Sequence, residues 1–109
     1  MTLTEYEIKI FNEVFEQITH SAPAQLDIFA ITTKYRFSAR TFLRGYKKLF
    51  GKTPTQHHHE VMMHYAKQKI KDGAKIKIVA LELGYDDIAN FSRKFKTVIG
   101  YPPSKVGRE

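Results

Sequence analysis

The sequence predicts an all-α chain of about seven helices, arranged as two helix, tight turn, helix subdomains joined by a long linker helix. Three observations carry this reading. Apolar residues recur at the i, i+3, i+4, i+7 spacing of one helix face, with no convincing period-two alternation. Glycine, proline and short polar residues fall between those stretches, where helices start and stop. A segment of the chain also repeats itself, residues 42–54 against 91–103. The expected bounds are 4–54 for the first subdomain, 55–72 for the linker helix and 73–109 for the second, with 1–109 forming one module.

From Thr4 to about His20, the residues Ile8, Phe11, Val14, Phe15 and Ile18 share one face. Acidic side chains crowd the first turns, where the helix dipole favours them. Ser21-Ala22-Pro23 breaks that helix. Leu26 to Lys34 gives a short second helix, with Leu26, Phe29 or Ala30, and Thr33 facing inward. Ser38 is placed to cap a third, in which Phe42, Tyr46, Leu49 and Phe50 make a stripe up to Gly51. Pro54 opens a long helix through Lys71, closed by Asp72-Gly73. Ile76, Val79, Ala80 and Leu83 mark the next short helix. Gly84 suits the positive φ of a sharp turn, and Asp86 or Asp87 suits the cap that follows. Phe91, Phe95 and Val98 line the last helix, which Gly100 with Pro102 and Pro103 stops.

At an offset of 49 the two copies match: Phe42 with Phe91, Arg44 with Arg93, Tyr46 with Phe95, Lys47 with Lys96, Gly51 with Gly100, Pro54 with Pro103. Upstream the offset falls to 48, so that Phe37 meets Tyr85 and the second turn is one residue longer. In each copy a polar stripe (Arg40, Arg44, Lys47; Ala89, Arg93, Lys96) lies about half a turn round the helix from the core stripe. A hydrophobic core has no use for a cationic second face. A DNA major groove does, because it admits a helix whose arginines donate to guanine O6 and N7 together. Two such helices about one DNA turn apart, roughly 34 Å, would enter successive grooves and read a non-palindromic site.

Composition agrees. The 109 residues suffice for one modest core or two small linked ones. The net charge of +7 is unevenly placed: residues 1–33 hold one cation against five acids, and the rest hold 17 Lys and Arg against six Asp and Glu. A basic body with an acidic cap points to a polyanion met by one side only. With no cysteine, disulfides and thiolate metal sites are excluded. No stretch is long and apolar enough to span a membrane, and the acidic N-terminus is the opposite of a signal peptide. The expectation is a soluble cytoplasmic protein with no membrane partner.

From Ile76 to Pro103 the pattern I-x-x-V-A-x-x-x-G-Y-x-D-x-x-x-F-S-R-x-F-K-x-x-x-G-x-x-P resembles the second helix-turn-helix of AraC/XylS-type transcription regulators. Through the repeat the resemblance extends over nearly the whole chain. It implies a double helix-turn-helix that binds specific double-stranded DNA and regulates transcription, normally activating it through contact with RNA polymerase. Position by position it implies base reading by Arg40, Thr41, Leu43 and Arg44 in the first recognition helix, and by Ile88, Ala89, Asn90 and Arg93 in the second. Arg40, Arg44 and Arg93 suit guanine, Asn90 adenine, and Ile88 or Ala89 a thymine methyl. Lys47, Lys48, Lys94 and Lys96 suit phosphates, and the helix N-terminus at Ser38 offers another phosphate contact. Asp86-Asp87 makes the N-terminus at Asp87 a poorer anion site. The first motif is richer in donors, so it is expected to carry more of the specificity. Many members carry a separate sensing or dimerisation domain, for which this chain has no room. A stand-alone short regulator and the DNA-binding piece of a longer protein would read alike, and Met1 directly before the first helix fits the former or a deliberately cut chain.

The chain departs from the family pattern at several places. Arg36 stands in the first turn where a glycine is usual, which predicts strain or a reshaped turn. Thr32 replaces a small alanine. His57, His58 and Met62 occupy places where a tyrosine, a leucine and an arginine are favoured, and the lost arginine removes an anchor. These departures support a rival reading, a protein-interaction module whose DNA reading has decayed; such a module should tolerate loss of Arg40, Arg44 and Arg93. The run His57-His58-His59 with His64 invites a metal, but consecutive helical residues point about 100° apart, and Glu60 with His64 is a pair lacking a third ligand. No metal, cofactor or enzymatic activity is therefore expected, since no nucleophile–base pair, paired carboxylates or phosphate loop stands out.

Overall fold

A computed structural model describes residues 2–107 of the chain; Met1, Arg108 and Glu109 lie outside the described residues. Six α-helices follow in order: α1 (Glu5–Thr19), α2 (Ile28–Tyr35), α3 (Ala39–Phe50), α4 (Pro54–Lys71), α5 (Ile76–Glu82) and α6 (Ile88–Ile99). With a short 3-10 helix at Pro103–Lys105 they answer to the expected seven or so. The described residues contain no strand, so the class is all-α as predicted. The chain folds into two compact units: Met1–Ser21 with Leu26–His58, and Ala22–Gln25 with His59–Glu109. The first turn of α4 therefore belongs to one unit and the rest of it to the other.

In the first unit α1 begins with a capping box. Thr4 Oγ1 accepts from the Glu7 amide at 3.0 Å, and Glu7 Oε1 accepts from the Thr4 amide at 3.0 Å. The core joins Ile10, Phe11, Val14 and Ile18 of α1 to Phe42 and Tyr46 of α3. Ile8 is only partly buried, and Ile10, which the periodicity left outside the stripe, is a core residue. Phe11 stacks on Phe37 with ring centroids 5.1 Å apart and on Phe42 at 5.8 Å. The helices approach closely at Gly45, where an added Cβ would lie 2.5 Å from Phe11 Cζ.

The inward face of α2 corrects the sequence reading. Phe29 is 79% exposed, and Ala30 and Thr33 are exposed as well; Leu26 packs on the core as expected but precedes the helix. Within the helix itself the inward residues are Ile28, Ile31, Thr32 and Tyr35. Asp27 fixes this register by accepting the Ala30 amide at 2.9 Å, which starts the helix two residues later than its leucine suggests.

The substituted histidines serve this packing. His57 is buried, stacked on Phe15 with centroids 4.2 Å apart, and hydrogen-bonded through Nδ1 to the Tyr46 hydroxyl and through Nε2 to Thr19 Oγ1 at 3.1 Å. Thr19 donates its single hydroxyl hydrogen to the Phe15 carbonyl at 2.8 Å. With that hydrogen given away, Thr19 Oγ1 is the acceptor and His57 Nε2–H the donor in their contact. His58 is buried too.

In the second unit Met62, Met63 and Ala66 of α4 pack with Val79, Ala80 and Leu83 and with Phe91 and Phe95 of α6. Met62, at the place of the missing arginine, is core. Tyr65 donates to Glu82 Oε1 at 2.6 Å, a hydrogen bond to a carboxylate that raises the phenol above its ordinary pKa. Gln25 Nε2 donates to the Leu83 carbonyl at 2.8 Å, closing the C-terminal end of α5 beside Gly84. No helix among the described residues is long and apolar enough to cross a membrane.

Candidate nucleic-acid interface

The two units repeat one local construction. Helices α3 and α6 have twelve residues each and begin and end at positions 49 apart. Ser38 Oγ caps α3 by accepting the Thr41 amide at 3.1 Å, and Asp87 Oδ1 caps α6 by accepting the Ala89 amide at 2.8 Å. Gly51 (φ 74°) and Gly100 (φ 100°) end them in left-handed conformation.

The turns before these helices also correspond, now at offset 48. The Phe37 amide donates to the Thr32 carbonyl at 3.0 Å, and the Tyr85 amide to the Ala80 carbonyl at 2.9 Å. Arg36 (φ 59°) and Gly84 (φ 89°) hold the same left-handed place. Arg36 therefore does not reshape the turn. It keeps the glycine conformation and bears the strain that a side chain meets there. Thr32, at the place of Ala80, is buried and turns its hydroxyl to the Phe29 carbonyl at 3.1 Å.

Each helix presents its expected polar stripe outward from its own unit. On α3, Phe42 and Tyr46 are buried, whereas Arg40, Arg44, Lys47 and Lys48 are exposed. Thr41 is half-buried and Leu43 lies on the flank. Ser38, exposed, is already engaged twice, since its hydroxyl also donates to Thr41 Oγ1 at 2.8 Å. On α6, Phe91 and Phe95 are buried, whereas Ile88, Ala89, Asn90, Arg93 and Lys96 are exposed. Lys94 is half-buried at the position of Gly45, on the helix flank rather than beside Arg93. Arg93 Nη2 donates to Asn90 Oδ1, one helical turn back. Thr97, absent from the sequence-derived candidates, is exposed on the same stripe and matches Lys48; its position one turn after Arg93 was the available signal.

Side chains of this kind are donors on a rigid helix, suited to base edges and phosphate oxygens. Among the described residues no three His, Cys, Asp or Glu side chains gather in a group able to hold a metal ion.

Two helix-turn-helix units, each with a cationic outer face on its second helix, define a nucleic-acid-binding class. A family described as a helix-turn-helix domain matches residues 31–109. The MmsAB operon regulatory protein of Pseudomonas aeruginosa is 33% identical over 82 residues, covering 74% of this chain; the chain spans 27% of that relative's length. A probable AraC family transcriptional regulator from Rhodopseudomonas palustris CGA009 has the same fold, with a TM-score of 0.79 at 21% identity over 92% of this chain and 95% of that one. The DNA-binding domain of AdpA, the global transcriptional factor, solved in complex with a target DNA, has a TM-score of 0.73 at 21% identity over 86% of each chain. The chain belongs to the AraC-type helix-turn-helix family, a family of DNA-binding transcription regulators rather than of enzymes.

Proposed function

We propose that this protein binds specific sites in double-stranded DNA through α3 and α6 and thereby regulates transcription, acting in the cytoplasm as an activator that touches RNA polymerase. The observation that carries the reading is the equivalence of Arg44 and Arg93. Both are exposed, both stand at the same step of matched helices, and each is backed by buried aromatic residues that fix the helix beneath it. Arg40, Thr41, Leu43 and Arg44 read one block of bases, and Ile88, Ala89, Asn90 and Arg93 the other. Lys47, Lys48, Lys94 and Lys96 contact phosphates, with the N-terminus of α3 at Ser38. An additional sensing or dimerisation domain in a longer protein would direct where and when this reading occurs.

The test is selection from a random duplex DNA pool, sequenced after rounds at two salt concentrations. The reading expects an asymmetric site with two blocks about one helical turn apart. Retention that depends on salt but enriches no sequence would contradict specific reading. No retention at low salt would favour a protein-docking role instead.

A further inference from the structure

The two recognition helices differ in how they hold their matched arginines. Arg93 is tethered, its Nη2 donating to the side-chain oxygen of Asn90 three residues earlier. At the corresponding place in α3, Thr41 is engaged by Ser38, and among the described residues none hydrogen-bonds the Arg44 side chain. We propose that Asn90 is a positioning residue for Arg93, and that the pair reads one guanine as a unit rather than Asn90 reading an adenine of its own. The inference rests on the DNA-reading role proposed above and moves Asn90 within it from base reader to support for Arg93.

The chemistry favours a unit. A guanidinium has five N–H donors, and the tether uses one hydrogen on Nη2. The other Nη2 hydrogen, both on Nη1 and the Nε–H remain, enough for the two parallel bonds to guanine O6 and N7. An asparagine that reads adenine, by contrast, needs its oxygen to accept the adenine N6–H while its amide donates to N7. In Asn90 that oxygen is already committed to Arg93. Both residues are exposed on the outer stripe of α6, so the tether limits the guanidinium before DNA arrives. Less side-chain freedom is then lost on binding.

The selection above, repeated with Asn90→Ala, Arg93→Ala, the double variant and Asn90→Asp, tests this. Arg93→Ala should lose a guanine preference of roughly tenfold to hundredfold at one base pair. Asn90→Ala should weaken the preference at that same base pair, and the double variant should be no worse than Arg93→Ala alone. Asn90→Asp keeps an acceptor for Arg93, so the guanine preference should survive although overall affinity falls with the added negative charge. If Asn90→Ala relaxes a different base pair, or its effect adds to that of Arg93→Ala, the positioning role is wrong while DNA reading stands. If the unaltered protein enriches no site, both are wrong.

Discussion

Two residues in the first unit sit where chain geometry sets sharp limits. Arg36 ends α2 at φ 59° and ψ 34°, a conformation that costs a non-glycine L-residue about 1–2 kcal/mol. Arg36→Gly relieves that strain, offset in part by the greater freedom of glycine in the unfolded chain. A net gain of about 0.5–1 kcal/mol should appear as a higher urea midpoint with an unchanged slope; a lower midpoint would mean that the arginine contributes more through its contacts than it strains. Gly45 makes the opposite case. Its hydrogen faces the Phe11 ring, and Gly45→Ala places a methyl 2.5 Å from Phe11 Cζ. The expected loss is about 1–3 kcal/mol despite the better helix propensity of alanine, read from the same denaturation curves. Nothing local in the sequence separates this packing glycine from a turn glycine, because its reason lies more than thirty residues away.

At the scale of elements, the capped starts of α3 and α6 set where their outer stripes point. Ser38→Ala and Asp87→Ala should each destabilise by about 1 kcal/mol, with faster amide hydrogen exchange concentrated at Thr41 and Ala89. Uniform exchange across the chain would show that the caps do not act locally. These helices were legible because caps, stripes and stop signals agreed and because the chain states them twice. The short α2 was harder: apolar residues lie on several of its sides, and starting the register at Leu26 instead of at the Asp27 cap turned the inferred face toward exposed Phe29. The outer stripe of α6 was legible from helical period, but the bond between Asn90 and Arg93 depends on rotamers that spacing permits and does not impose. The bond from Gln25 to Leu83 spans 58 residues and leaves no local trace.

For the whole molecule, the charge asymmetry has a direct consequence. The excess of acids before Lys34 and of cations from Lys34 onward makes the later helices the expected point of contact with a polyanion. DNA affinity should fall with added salt at a slope of about −0.9 per phosphate neutralised, and removing one of Lys47 or Lys96 should reduce that slope by about one without changing the preferred sequence. The central claim is that both copies of the repeat read bases. It is tested most directly by measuring base preference along the selected site for Arg44→Ala and for Arg93→Ala. The account predicts that each relaxes a different block, costing about 1–3 kcal/mol there and leaving the other block intact. If both variants relaxed the same block, or weakened binding equally on every sequence, only one helix or neither would be a reader, and the account would be contradicted.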